Sequence, residues 1–383
     1  MKQIYLDNNS TTPIDPAVIE VMTACYAEGY ANPASQHRTG QAARRKLESL
    51  RTEIVEMLGG RSAGMDADRL IFTSGGTESN NLAVLGLAHL PEGGLPDEKQ
   101  ILVSSIEHPS VIGAAGQLVR LGFEVRQIPV DENGVVKVDE IQRLLDTPTR
   151  LVSVMLANNE TGVIQPVARI ASLCRDKAVL FHTDAVQAVG KIPVSFSELD
   201  VDALSITAHK LHGPCGIGAL LLKDAATPSP IVFGGFQQMA IRPGTEDVAL
   251  VCGLHKALSL CSKDRKRRLR LLRDDLETSI LSAFPDAVVN GGSVERTPHT
   301  LNFSIPGINR QALLMAADIA GLAISTGSAC ASGSSEPSPV LVAMGADSSV
   351  IEGSIRISLG AQTTASEINL AAERITRVIN DLR

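Results

Sequence analysis

Residues 151–210 read LVSVMLANNETGVIQPVARIASLCRDKAVLFHTDAVQAVGKIPVSFSELDVDALSITAHK. Short apolar runs punctuate this stretch at 151–156, 178–184 and 203–208. They are rich in β-branched and aliphatic side chains and lack a strict polar alternation, as befits strands covered on both faces. Between the first two, PVARIASLCRDK carries the helical period and opens with Pro166, a residue suited to a helix's first turn. The three runs end in the polar clusters ANNETG, HTDAVQ and TAHK. In an open parallel sheet, ligands bind beyond the carboxyl ends of the strands, which is where these clusters fall.

Working outward, the same texture recurs upstream in RLIFTS (69–74), ILVSSI (101–106) and FEVRQIPV (123–130), and downstream in IGALLL (217–222). PSVIGAAGQLVRL (109–121) supplies another helix with a proline at its start. The fold class is therefore α/β, a mainly parallel seven-stranded sheet with helices on both faces. SGGTESNN and EHPS add two more polar clusters at strand ends. Beyond about residue 257 the texture changes to a charged helix, then VVNGG, HTLNFSIPG, LAISTGSAC and SIRISLG, with helical stretches at 310–320, 336–344 and 364–382. These predict a smaller α+β domain completed by the first dozen residues, so that 14–257 form the large domain and 1–13 with 258–383 the small one.

Composition narrows the function. The 383 residues are 44% hydrophobic with a formal net charge of −7 and a pI near 5.7, which argues against nucleic-acid binding by bulk electrostatics. The basic run KDRKRRLRLLR (263–273) interleaves Leu269, Leu271 and Leu272, and reads as a helix with one buried stripe and one solvated face. No apolar run reaches membrane-spanning length, and MKQIYLDNNSTTP lacks the layout of a signal peptide. The six cysteines include no Cys-x-x-Cys pair, which disfavours a disulfide framework or structural zinc and suits the cytoplasm. No metal site is expected.

Three motifs carry chemistry. In TSGGTES (73–79) a glycine pair lets the backbone approach a ligand, a helix start offers free N–H groups to an anion, and Thr77 adds a hydroxyl. The loop is neither a Walker A nor a GxGxxG motif, so ATP and NAD are poorly supported. Lys210 ends a buried run, where a desolvated, neutral amine can form an imine. Asp184 brings a carboxylate to a neighbouring strand end. Together the motifs suit pyridoxal 5′-phosphate (PLP) bound to Lys210 as a Schiff base: Asp184 would keep the pyridine nitrogen protonated so that the ring accepts electrons, and Gln187 could hydrogen-bond the phenolic oxygen. Taken singly, the same residues fit an ordinary N-capped turn, a surface lysine and a helix N-cap.

The segments SGGTESNNLA, EHPSV, ANNETG, HTDAVQAVGK, AHKLHGP, RPGTEDV, STGSACASG and SIRISLG resemble, in order, those of the cysteine desulfurases of the NifS and IscS kind. That family lies in the class V branch of the PLP-dependent transferases of fold type I, and the resemblance covers essentially the whole chain. It implies that Lys210 holds the cofactor, that Gly76, Thr77, Thr207 and His209 bind its phosphate, and that Thr245 reaches the phosphate from the partner subunit of a homodimer. It further implies that His108 stacks over the ring as acid or base, that Asp184 pairs with the pyridine nitrogen, and that Gln187 and Asn159 serve the phenolic oxygen. Arg356, with Asn159 and Asn32, would bind the carboxylate of L-cysteine, a task that fits a bidentate fork. Cys330, in the small-residue run STGSACASGS, would take the sulfur as a persulfide and leave alanine; on composition alone a packed thiol is an equal reading. Sulfur would pass to an acceptor or scaffold protein in iron–sulfur cluster assembly, tRNA thiolation or a nitrogenase-dedicated role.

Two departures stand out. GGFQQM (234–239) replaces a stretch that in the family carries a charged pair on the dimer side of the site, and Cys215 stands where the family generally has lysine. Cys215 reads as inert packing ahead of a second sulfur-handling thiol. The chain also stops soon after its final helical stretch, without the longer tail that some members use to engage a scaffold. Rival readings are a selenocysteine lyase, a class V aminotransferase, which needs no loop cysteine, and a non-catalytic sulfur-relay subunit, which needs neither Lys210 nor Cys330.

Overall fold

The computed structural model describes residues 3–29, 31–89, 97, 99–327 and 336–383. In chain order the strands are β1 (Ile4–Tyr5), β2 (Arg69–Thr73), β3 (Gln100–Ser104), β4 (Glu124–Ile128), β5 (Thr149–Ser153), β6 (Leu180–Asp184), β7 (Ala203–Thr207), β8 (Gly218–Leu222), β9 (Val288–Val289), β10 (Thr300–Ser304), β11 (Leu322–Ala323) and β12 (Ser354–Ser358). The first four helices are α1 (Pro16–Ala27), α2 (Arg38–Met57), α3 (Gly76–Ala88) and α4 (Pro109–Arg120).

The seven expected runs are the seven strands of one sheet, ordered β2-β8-β7-β6-β5-β3-β4. The five strands from β7 to β4 run parallel, while β8 is antiparallel to both its neighbours. Strand order reverses between β5 and β3: the chain steps from β5 to β6 and β7 on one side, and from β3 to β4 on the other. The crevice at such a switch point is the natural place for a ligand. Strands β3, β7 and β8 are buried along their whole length and β5 and β6 at all but one residue each, whereas β4, at the edge, exposes Glu124, Arg126 and Gln127 and, in part, Val125. FEVRQI is thus less apolar than its fellows because only one side of it has a neighbour.

The opposite edge, β2, is closed by the departure noted in the sequence. Gln238 is buried, and its side-chain amide pairs with the backbone of Phe72: Oε1 accepts from Phe72 N at 2.6 Å while Nε2 donates to Phe72 O at 2.9 Å. One glutamine thus satisfies a donor and an acceptor that an edge strand otherwise leaves open. Arg51 lies over the Phe72 ring, 4.6 Å from its centroid, and also donates to Gln238 Oε1.

A second hydrophobic cluster gathers Ile4, Leu6, Leu269, Leu272, Leu276, Ile280, Leu301, Phe303, Ile355, Ile357 and Ile375. Here β10 pairs antiparallel with β12 and β9, and β1 runs parallel to β11. The helix Lys263–Ala283 contributes Leu269, Leu272, Leu276 and Ile280, a stripe at helical spacing. Leu271 does not join it: at 57% exposure it faces solvent, one position around the helix from the stripe. Arg273 is buried in its place among the polar contacts and donates to Thr297 O. No helix among the described residues is long and apolar enough to cross a membrane.

Candidate active site

A cleft of about 540 Å³ opens at the carboxyl ends of the parallel strands. Gly76 and Thr77 line it at the start of α3, where Gly75 is an N-cap with no side-chain cap, so the first N–H groups have no carbonyl within the helix to serve. Gly218 allows this approach: a Cβ there would meet Gly75 C and Ile206 O, each at 2.7 Å. Glu78 secures the turn, accepting from Ser74 N at 2.6 Å and from Arg242 Nε at 2.7 Å. Burial alone would raise its pKa, but the hydrogen bonds from Arg242 and Ser74 outweigh that and hold the carboxyl below its usual range.

His209 and Lys210 follow β7 in a short 3-10 turn. Lys210 Nζ donates to Asn9 O at 2.5 Å and Ser10 O at 2.6 Å, so residues from the far N-terminus hold the amine in the cleft. His209 packs by Nδ1 against Thr11 Oγ1, and burial, then the charges of Lys210 and Lys191, pull its pKa down to about 4. Lys191, buried, donates to Gln187 Oε1 at 2.5 Å; burial and the Lys210 charge push its pKa well below the usual lysine value. Gln187 Nε2 is thereby turned toward Asn9 O, 3.0 Å away.

Asp184, at the end of β6, accepts from Val186 N at 2.9 Å on one oxygen and from Asn80 Nδ2 at 2.6 Å on the other. His108 caps α4, accepting from Ser110 N through Nδ1. Beneath them Glu107 is fully enclosed, with Ser104 Oγ and Met155 N donating to one oxygen. Burial, opposed by those two hydrogen bonds and assisted by Asp184, raises its pKa to about 8. Arg356, 2% exposed, projects from β12 and donates to Asp7 Oδ1 (2.8 Å), Ser10 Oγ (2.9 Å), Asn159 O (3.0 Å) and Gly327 O (3.3 Å).

The cleft thus brings together Gly76, Thr77, His108, Asn159, Asp184, Gln187, Thr207, His209, Lys210 and Arg356 of the residues singled out in the sequence. Asn32 and Thr245 do not line it; they share a separate depression with Tyr26 and Asp247. Cys330 lies outside the described residues, although Gly327, just before it, lines the cleft. Cys215 is exposed on the cleft wall, so the packing role expected for it does not hold. Sequence reasoning missed Asp7, Asn9, Ser10, Asn80, Ser110, Glu107 and Lys191. The polar run DNNS, unusual beside a strand, and the ESNN tail of the glycine motif were the available signals.

The donor set fits a molecule with an anionic group, an aromatic nitrogen and a reactive carbonyl, features that PLP combines. An uncapped helix start suits a phosphate, and Asp184 an N–H. Among the described residues, two buried polar atoms of cleft-lining side chains, Asn80 Oδ1 and Arg356 Nε, have no hydrogen-bond partner and mark room for further hydrogen bonds.

Residues 4–370 match the aminotransferase class-V family. The chain is 39% identical over 386 residues to the cysteine desulfurase IscS of Dictyoglomus turgidum, covering 100% of this chain and 96% of that protein. It is 38% identical over 387 residues to a cysteine desulfurase of Nostoc sp., covering 100% and 94%. Among solved structures, a NifS-like protein from Rickettsia africae superposes with a TM-score of 0.87 at 30% identity, over 99% of each chain.

Proposed function

The chain belongs to the aminotransferase class-V family, and from that premise we propose that it is a cysteine desulfurase that uses PLP to take sulfur from L-cysteine, leaving L-alanine. The observation that carries the reading is the convergence of Lys210, Asp184 and the uncapped start of α3 on one cleft. When bound, PLP supplies a carbonyl that captures amines and a ring that accepts the electron pair released at the substrate's Cα.

This chain's residues would hold it as follows. Gly76, Thr77, Thr207 and His209 take the phosphate, joined by Thr245 from the partner subunit of a homodimer. Asp184 takes the pyridine nitrogen, Gln187 and Asn159 the phenolic oxygen, and Lys210 the carbonyl carbon, while His108 covers the ring face. His209, kept uncharged by burial, donates a hydrogen bond without adding a cation. Arg356 and Asn159, helped by Asn32, receive the substrate carboxylate. Lys210 and His108 carry the Cα proton. The Cys330 thiolate attacks the substrate sulfur; an S–S bond forms as the Cβ–S bond breaks, and the persulfide passes its terminal sulfur to an acceptor protein serving iron–sulfur cluster assembly or thiolation. We place the enzyme in the cytoplasm, with the cofactor on a large domain of residues 14–257 and Cys330 on a small domain of 1–13 and 258–383.

Purified protein loaded with PLP should turn L-cysteine into equal amounts of alanine and, with a thiol reductant present, sulfide. Cys330→Ala should abolish both while the visible absorption of lysine-bound cofactor persists. Alanine formed by that variant at the wild-type rate would overturn the assignment of the nucleophile. Lys210→Ala should lose the visible band itself.

A further inference from the structure

Asp184 and His108 come from different strand ends, yet two buried side chains join them. Asn80, on the second turn of α3 and 1% exposed, donates one amide hydrogen to Asp184 Oδ2 (2.6 Å) and the other to Ser110 Oγ (2.9 Å). Having accepted there, the Ser110 hydroxyl has its own hydrogen to give, and His108 Nδ1 lies 2.7 Å away. Ser110 N–H points at the same Nδ1 from 3.1 Å.

We propose that Asn80 and Ser110 are positioning residues that couple the pyridine-nitrogen partner Asp184 to the ring-covering His108, holding the neutral imidazole in its Nε2–H form. Direction follows from chemistry at each link. Turning the Asn80 amide over would set its oxygen against the Asp184 carboxylate and remove the donor to Ser110. A hydrogen on His108 Nδ1 would face the Ser110 N–H, a backbone donor that cannot reverse. The neutral ring therefore carries its hydrogen on Nε2, and its tautomer is settled before substrate arrives. At the other end, Asn80 and Val186 each give one hydrogen bond to Asp184, which fixes the carboxylate plane while leaving lone pairs for a ring N–H. Neither Asn80 nor Ser110 belongs to the proton-carrying or phosphate-binding set, so their role acts through others.

The tautomer half is independent of the proposed reaction; the pyridine half rests on PLP binding as described above. Histidine side chains labelled with nitrogen-15 in the full-length protein, with His108 assigned from His108→Gln, should show Nε2–H in the wild type with and without PLP. Ser110→Ala should raise the Nδ1–H population by about three- to tenfold, the factor that one net hydrogen bond is worth, and Ser110→Thr should restore it. With nitrogen-15 in the cofactor ring, Asn80→Ala should move the pyridine resonance toward its unprotonated position, whereas Ser110→Thr should leave it in place. Retention of the visible cofactor band and an unaltered melting curve certify each variant as folded. An Nδ1–H tautomer in the wild type, or spectra of Asn80→Ala and Ser110→Ala that match it, would overturn the proposal; failure of desulfurase activity in the wild type would leave the tautomer result standing and would count against the function instead.

Discussion

The two ends of the cleft are assembled from different distances along the chain. At the α3 end, Gly75, Gly76, Thr77 and Glu78 are consecutive, and one hydrogen bond from Ser74 N to Glu78 closes the turn locally. At the other end, Lys210 and Arg356 are held by residues 7–10, across 200 positions from Lys210 and 349 from Arg356. The first end is written in a motif and folds as one. The second exists only once the N-terminal segment has crossed from its contact with β12, where Asn9 N meets Ser358 Oγ, to the turn after β7. Loss of a side chain in the local end should disturb ligand binding, while loss in the distant end should disturb the fold as well.

Arg356→Met is the largest test of that contrast. It removes a donor from Asp7, Ser10, Gly327 O and Asn159 O in a nearly closed site, and only Asn159 O keeps a second one, from Asn9 Nδ2. Stability should fall by about 3–5 kcal/mol, the range for breaking one side of a buried ion pair, measurable as a shift in urea midpoint. The KM for cysteine should rise in any surviving protein. A variant as stable as the wild type would show that the N-terminal segment is held by its strand pairing alone.

Glu107, buried next to the cleft-lining His108, answers to pH. Its folded pKa of about 8 lies above the ordinary glutamate value of 4.5, so the folded protein binds the proton more tightly than the unfolded chain. Its contribution is fully favourable below 4.5 and is lost as pH rises through 8. Glu107→Gln should flatten that decline, becoming the more stable form above pH 8 by a few kcal/mol, on the order given by linkage. Chemical unfolding at a series of pH values would check it. His182, equally enclosed on β6 between Ser153 of β5 and Ser205 of β7, is driven the opposite way, to about 3, by burial. Both groups end uncharged, which leaves the fixed charges on the cleft wall rather than under it.

Gly218→Ala tests the local end. The added carbon would press on Gly75 C and Ile206 O, backbone atoms that cannot swing aside. A cost of about 1–3 kcal/mol is expected for such overpacking, and the start of α3 must move from β7 and β8. PLP affinity should fall more than that of a Gly113→Ala control, whose added carbon meets nothing within 4 Å. Equal affinities in a cofactor titration would detach the anion site from the sheet.

The contrast also explains what could be read from residues alone. Strands β2 to β8 were legible because apolar runs of about five residues between turn signals have few other uses, and the polar clusters at the ends of five of them marked the cleft wall. Asn80 was not legible, since in sequence it is one polar residue in a helix and its value lies in reaching Asp184, 104 positions away. Lys191 resembled any charged residue after a motif until burial beside Gln187 gave it a task. Leu271 misled because a run of three leucines within four positions spans more of a helix than one face can bury. The N-terminal DNNS segment carried no period at all, and its meaning is wholly in what it crosses.

The smallest effect is expected beside the β2 edge, close to where Arg242 reaches Glu78. For Gln238 to place its amide on Phe72, the backbone runs left-handed through Gln238, Met239 and Ala240, with φ of 48°, 59° and 58°. A side chain in that region costs about 1–2 kcal/mol relative to the right-handed one, and glycine removes the clash. Ala240→Gly should therefore stabilise the protein, but the glycine also frees the unfolded chain, which returns about 0.4–1 kcal/mol. A net gain of about 0.5 kcal/mol is the expectation, seen as a small rise in Tm. Gln238→Glu should go the other way, because a carboxylate oxygen would then face Phe72 O where the amide donated. If Ala240→Gly stabilised while Gln238→Glu cost nothing, the turn would be strained for some purpose other than closing the sheet edge. If both behaved as expected, a local turn would be held in its strained form by one contact with a distant strand, the arrangement that also sets the N-terminal end of the cleft apart from α3.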